Sequence, residues 1–101
     1  MSDEQKAQPK EGPQIQIALD EETAQGFYSN LAMVNHNQTE FTIDFIYVQP
    51  QGPKAKVRAR VITSPSHFKR LIGAMNDNLA KYEAKFGIVE VAPPALNVPV
   101  H

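Results

Sequence analysis

Residues 41–61 read FTIDFIYVQPQGPKAKVRARV, and this stretch decides the fold. Phe41, Ile43, Phe45 and Tyr47 alternate with Thr42, Asp44, Ile46 and Val48, the period of a half-buried strand. Pro50-Gln51-Gly52-Pro53 is a turn signal, because the prolines withhold backbone donors and Gly52 tolerates positive φ. Ala55, Val57, Ala59 and Val61 then alternate with Lys54, Lys56, Arg58 and Arg60, a second strand. A simple hairpin with Val48 opposite Lys54 sets Tyr47 on Ala55, Phe45 on Val57, Ile43 on Ala59 and Phe41 on Val61. Large side chains then face small ones, which favours cross-strand packing, and Asp44 falls opposite Arg58.

Upstream, Ile15, Ile17 and Leu19 alternate with Gln14, Gln16 and Ala18, which predicts another strand. Asp20 is placed to cap a short helical turn through Glu21, Glu22 and Thr23. Gly26 opens an extended segment from Phe27 to Asn35, and His36-Asn37-Gln38-Thr39 turns it into the hairpin. Downstream, Ser64 and Pro65 form a helix start, with serine as cap and proline where its missing N–H costs nothing. Phe68, Leu71, Ile72, Met75, Leu79, Tyr82 and Phe86 follow as one apolar stripe at near-heptad spacing. Lys81 and Lys85 complement the helix dipole, and Gly87 suits the position after the last turn.

The predicted fold class is α+β, a four-stranded antiparallel meander followed by one long amphipathic C-terminal helix packed on the sheet. Residues 1–13, polar and without period, read as a disordered arm; 14–87 form the single domain; 88–101 are a Pro-rich tail.

A length of 101 residues leaves room for one core. The chain has no cysteine, so disulfides, thiol nucleophiles and thiolate metal sites are excluded. The apolar run Leu31–Val34 is far short of the roughly 20 residues a membrane span needs. The first thirteen residues lack the apolar region of a signal peptide, so the expected compartment is the cytoplasm. The net charge of −1 hides an asymmetry. Residues 1–50 hold two basic and eight acidic side chains, giving −6; residues 51–101 hold eight basic and three acidic, giving +5. Such halves attract each other within one fold or between subunits.

Chemistry-bearing motifs are sparse. His36, His67 and His101 lack ligand spacing, so no metal and no cofactor is expected. Nucleotide-binding glycine loops and hydrolase motifs are missing. Asp20, Glu21 and Glu22 read as acids at a helix start, and a small enzyme would have to bring Asp20 or Glu22 to His67. Lys54, Lys56, Arg58 and Arg60 on one strand face would repeat at about 6.6–6.8 Å, close to successive phosphates of an extended single strand. Tyr28 would supply a stacking surface beside them. Gly73, Ala80 and Ala84 share a side of the helix about a third of a turn from the stripe. With Ile46 and Val48 on the second sheet face, they form the expected self-association surface.

Several segments resemble a family of small bacterial proteins, domain of unknown function 3467. They are Ile15 to Asp20, Gly26-Phe27-Tyr28-Ser29-Asn30, Glu40 to Phe45, Pro53 to Val57 and Pro65 to Leu71. The resemblance covers roughly residues 14–87; Tyr-Ser-Asn and Glu-Phe-x-x-Asp-Phe are its more specific parts. It implies a small bacterial cytosolic protein and brings no catalytic residue. In layout alone, four meandering strands and a long helix resemble the tetrameric export chaperone SecB. The expected function is a non-enzymatic homo-oligomer, dimer or tetramer, with a binding, scaffolding or chaperone-like role toward a protein client. The alternatives are a nucleic-acid module using Lys54, Lys56, Arg58 and Arg60, and a small enzyme.

Overall fold

The structure, a computed structural model, describes residues 14–52 and 54–92. The expected arm at 1–13 and residues 93–101 of the expected tail lie outside the described residues. The elements run α1 (Glu21–Gln25), β1 (Leu31–His36), β2 (Phe41–Val48), β3 (Ala55–Thr63) and α2 (Pro65–Phe86). The strands form one antiparallel sheet in the order β1-β2-β3.

Local chemistry sets these boundaries. Asn37 Oδ1 accepts from the N–H groups of Thr39 and Glu40, both at 2.9 Å, and so folds the β1–β2 turn around itself. At the other end, the Asn30 side chain accepts from Val48 N–H at 2.8 Å and donates to Val48 C=O at 3.1 Å. That amide extends the ladder beyond Leu31 in place of a strand residue. Ser29 Oγ donates to the carbonyls of Leu31 and Ile46, each at 3.0 Å. β1 therefore begins at Leu31 rather than Phe27, because side chains satisfy the backbone there.

Three strands are present among the described residues, not four. Gln14–Leu19 forms no strand, and Ile15, Ile17 and Leu19 stay 85, 90 and 68% exposed. Alternation prescribes a strand face but supplies no neighbour, and among the described residues no strand pairs with the segment.

The hairpin exists in a corrected register. Val48 pairs with Ala55, Tyr47 with Lys56 and Ile46 with Val57, one residue from the simple alignment. A shift between Phe45 and Ile46 leaves Arg58 as the extra residue of a bulge. Beyond it Phe45 pairs with Ala59, Asp44 with Arg60 and Ile43 with Val61, two residues from the expected partners. A one-residue slip reverses faces and a two-residue slip restores them, so Val57 lies on the Ile46 face while Val61 keeps the Ile43 face.

β2 is the covered strand: Ile43 and Ile46, three residues apart and on opposite faces, are the buried hydrophobic side chains, each 5% exposed. Helix α2 meets this sheet through its first turns. Phe68 stacks on Phe41 with centroids 4.2 Å apart and planes 6° from parallel, and Leu71 is half-buried. Its start is as read: Ser64 Oγ accepts from His67 N–H at 3.2 Å and Pro65 opens the helix. Its end is at Gly87, where φ of 102° requires glycine and the N–H reaches Glu83 C=O. Beyond Leu71 the stripe leaves the sheet. Ile72, Met75, Leu79, Tyr82 and Phe86 are all exposed, so the rest of this rod of about 33 Å is not covered by the sheet. Packing along the whole helix, as expected, is not what the chain does.

Candidate functional site

Two surfaces emerge from this arrangement, one apolar on α2 and one basic on β3. On α2, Ile72, Met75, Leu79, Tyr82 and Phe86 are between 44 and 64% exposed. Their spacing is three, four, three and four, the seam spacing of a coiled coil. The stripe is partly covered only at the helix start, at Phe68 and Leu71. Tyr82 and Phe86 lie ring against ring at 4.9 Å, so the far end of the seam is an aromatic pair.

Gly73, Ala80 and Ala84 are exposed on a different side of the helix. A Cβ built on Gly73 meets nothing within 4 Å, so no close approach within the chain requires that glycine. Ile46 is buried and Val48 half-buried, which leaves Ile46 no side-chain surface to offer a partner. The structure thus does not gather the five residues expected for self-association into one patch. The residues sequence reasoning passed over are Ile72, Met75, Leu79, Tyr82 and Phe86, because it spent their stripe on the sheet. The available signal was the strict three-four spacing from Ile72 to Phe86, which is as much a seam for a second helix as a face for a sheet.

The basic row is divided. Arg60 pairs with Asp44 and Lys56 with Tyr47, and these β2 residues point to opposite faces. The bulge at Arg58 therefore breaks the regular spacing expected of four cations on one face. Arg60 is engaged, its Nε and Nη2 donating to the two Asp44 carboxylate oxygens at 2.7 and 2.9 Å. Asp44 is the more enclosed partner, 15% exposed against 62% for Arg60. The hydrogen bonds from Arg60 hold its carboxyl below the ordinary 3.8, and the same contact raises Arg60.

Lys54, Lys56 and Arg58 do come together, with Tyr47 and Gln49, around an open hollow of about 730 Å³. The Arg58 guanidinium lies 5.9 Å from the centre of the Phe27 ring, a cation–π contact. Tyr28 meets Tyr47 edge to face at 6.1 Å, so the expected stacking residue does stand beside this hollow. A second open hollow of about 780 Å³ is lined by Phe27 to Ala32 and Phe45.

Asp20 is committed locally. Its carboxylate accepts from Thr23 N–H at 2.9 Å and caps α1; hydrogen bonding from the Thr23 side chain, and then from its backbone, holds it below its ordinary value. Asp20, Glu22 and His67 line neither hollow. Among the described residues no three His, Asp or Glu side chains gather as a metal site, and no helix is long and apolar enough to cross a membrane.

The family described as Protein of unknown function (DUF3467) matches residues 1–91, and the chain belongs to it. No curated protein and no solved structure matches the chain.

Proposed function

We propose that this chain is a non-enzymatic, homo-oligomeric binding or scaffolding protein whose copies meet along the outer stripe of α2. The observation that carries this reading is the exposure of that stripe while, among the described residues, only Ile43 and Ile46 are buried hydrophobic side chains. Five half-exposed large side chains present on the order of 500 Å² of apolar surface. That is at the upper end of what soluble monomers show and a large share of the roughly 800 Å² each partner buries in a stable complex. A second copy fits because seam spacing is self-complementary: an identical stripe supplies the holes for its knobs.

The open apolar surface at Phe27 and Tyr28 supports a further role in holding a protein client, a chaperone-like use analogous to that of SecB. A cytosolic setting accords with this reading.

Light scattering over a range of concentrations tests it. The wild type is expected at twice or four times the mass of the 11.2 kDa chain. Leu79→Glu is expected to weaken assembly at least tenfold, because it removes about 1 kcal/mol of apolar burial per chain and adds the cost of burying a charge. A wild-type monomer at every concentration would overturn the proposal.

A second reading, polyanion binding, is favoured only by the meeting of Lys54, Lys56 and Arg58 beside Tyr47.

A further inference from the structure

We infer that the segment Gln14–Leu19 of one copy adds to the free edge of β3 in a second copy, as an exchanged fourth strand. The inference rests on the oligomeric reading above and gives it a second contact.

Four observations meet here. First, Ile15, Ile17 and Leu19 carry strict strand alternation yet are almost wholly in solvent, which is an unfavourable place for three β-favouring or large apolar side chains. Second, β3 is an edge of the sheet, and its outer backbone groups have no ladder partner in this sheet. Such an edge is a template for another strand. Third, Val57, Val61 and Ile62 on β3 remain 48, 43 and 57% exposed, so the edge offers apolar neighbours as well as hydrogen bonds. On the other edge, β1 ends in Asn35 and His36, and Leu31 and Met33 are already half-buried. Fourth, the charges match. Asp20, Glu21 and Glu22 follow the segment directly, while Lys54, Lys56 and Arg58 occupy the start of β3.

Charge also selects the direction. An antiparallel addition lays Ile15 toward Ile62 and brings the three acids to the Arg58–Lys54 end; a parallel one carries them away, toward Ser64. Length agrees, since six residues extend about 20 Å and Ala59–Thr63 beyond the bulge about 17 Å. The partner is a second copy because the segment, exposed along its length, pairs with none of the three described strands of its own chain. The joint is Gly26, whose φ of 70° is open to glycine at little cost, after the single turn of α1.

The absence of native cysteine makes the test direct. Ile15→Cys and Ile62→Cys chains, purified separately with different tags and mixed under mild oxidation, are expected to give a disulfide between the two chains. Amide exchange supplies a readout independent of register. In the wild-type oligomer, the amides of residues 15–19 are expected to exchange at least tenfold slower than in a free peptide. Gln16→Pro, which deletes a ladder donor outside the folded sheet, is expected to abolish that protection while leaving the sheet amides protected. A light-scattering oligomer with unprotected residues 15–19 would overturn strand exchange and leave the α2 interface standing. Protection that persists in dilute monomer, with a disulfide forming only inside an Ile15→Cys/Ile62→Cys double variant, would also overturn it, showing the strand to close on its own sheet. A monomer at all concentrations would overturn both.

Discussion

At Asp44, one carboxylate accepts two hydrogen bonds from one guanidinium across neighbouring strands. Its folded pKa is depressed from 3.8 chiefly by that bonding, and the sign of the consequence follows. The pair's contribution is present above the unfolded value, about 3.9, and is lost as pH falls through the lower folded value. Arg60, raised further above its ordinary range by its hydrogen bonds to Asp44, keeps its charge throughout the accessible range. Asp44→Asn is therefore expected to be less stable than wild type at pH 7, with the gap closing steadily below about pH 4. Urea midpoints at pH 7, 4 and 3 measure it; a gap that stays constant would show that Asp44 acts by packing and not by charge. Asp20 is lowered in the same direction by its hydrogen bonding with Thr23, so the Asp44→Asn variant retains some acid sensitivity of its own.

Among the elements, α2 is the one whose limits were most legible. Ser64, Pro65 and Gly87 each carry a distinct local signature, and each stands where that signature places it. Ser64→Ala is expected to cost about 1 kcal/mol by leaving the His67 N–H without its side-chain acceptor. A drop in the thermal midpoint checks this, with Ser64→Thr restoring it. The hairpin was legible as a pair of strands but not in register. Nothing in Arg58 marks a bulge, since it is no glycine and sits in a regular alternation, so the extra residue becomes visible only once both strands are packed. The fourth strand misled for a related reason: Ile15, Ile17 and Leu19 say which faces differ, and a partner is a tertiary fact. The same holds for the α2 stripe. Periodicity states that a face favours cover but not what covers it, and the sheet leaves Leu79 and Phe86 exposed.

For the molecule as a whole, the charge split of −6 and +5 acquires a geometry, and it bears on how to separate the two readings of the basic strand. If β3 serves a polyanion, at most Lys54, Lys56 and Arg58 share the contact, because Arg60 is turned to the other face and held by Asp44. Three phosphate contacts on a single strand give a log–log salt slope of about −2, using about 0.7 per contact. Arg58→Glu would then remove binding, while Arg60→Gln, which takes away the charge without setting a second carboxylate against Asp44, would leave it nearly intact. If β3 instead receives the acidic end of a neighbouring copy, the same cations are already satisfied in the assembly. Oligonucleotide binding is then expected to be weak, and strongest in a Gln16→Pro/Leu79→Glu double variant, in which both contacts are broken and the basic hollow is open. Fluorescence anisotropy of a labelled single strand against both proteins, at low and physiological salt, reads this difference. Equal binding by assembled and dissociated forms would mean that β3 is not covered by a second copy. The α2 seam is apolar and its strength should not fall with salt, so any salt-dependent part of assembly belongs to the charged end of β3.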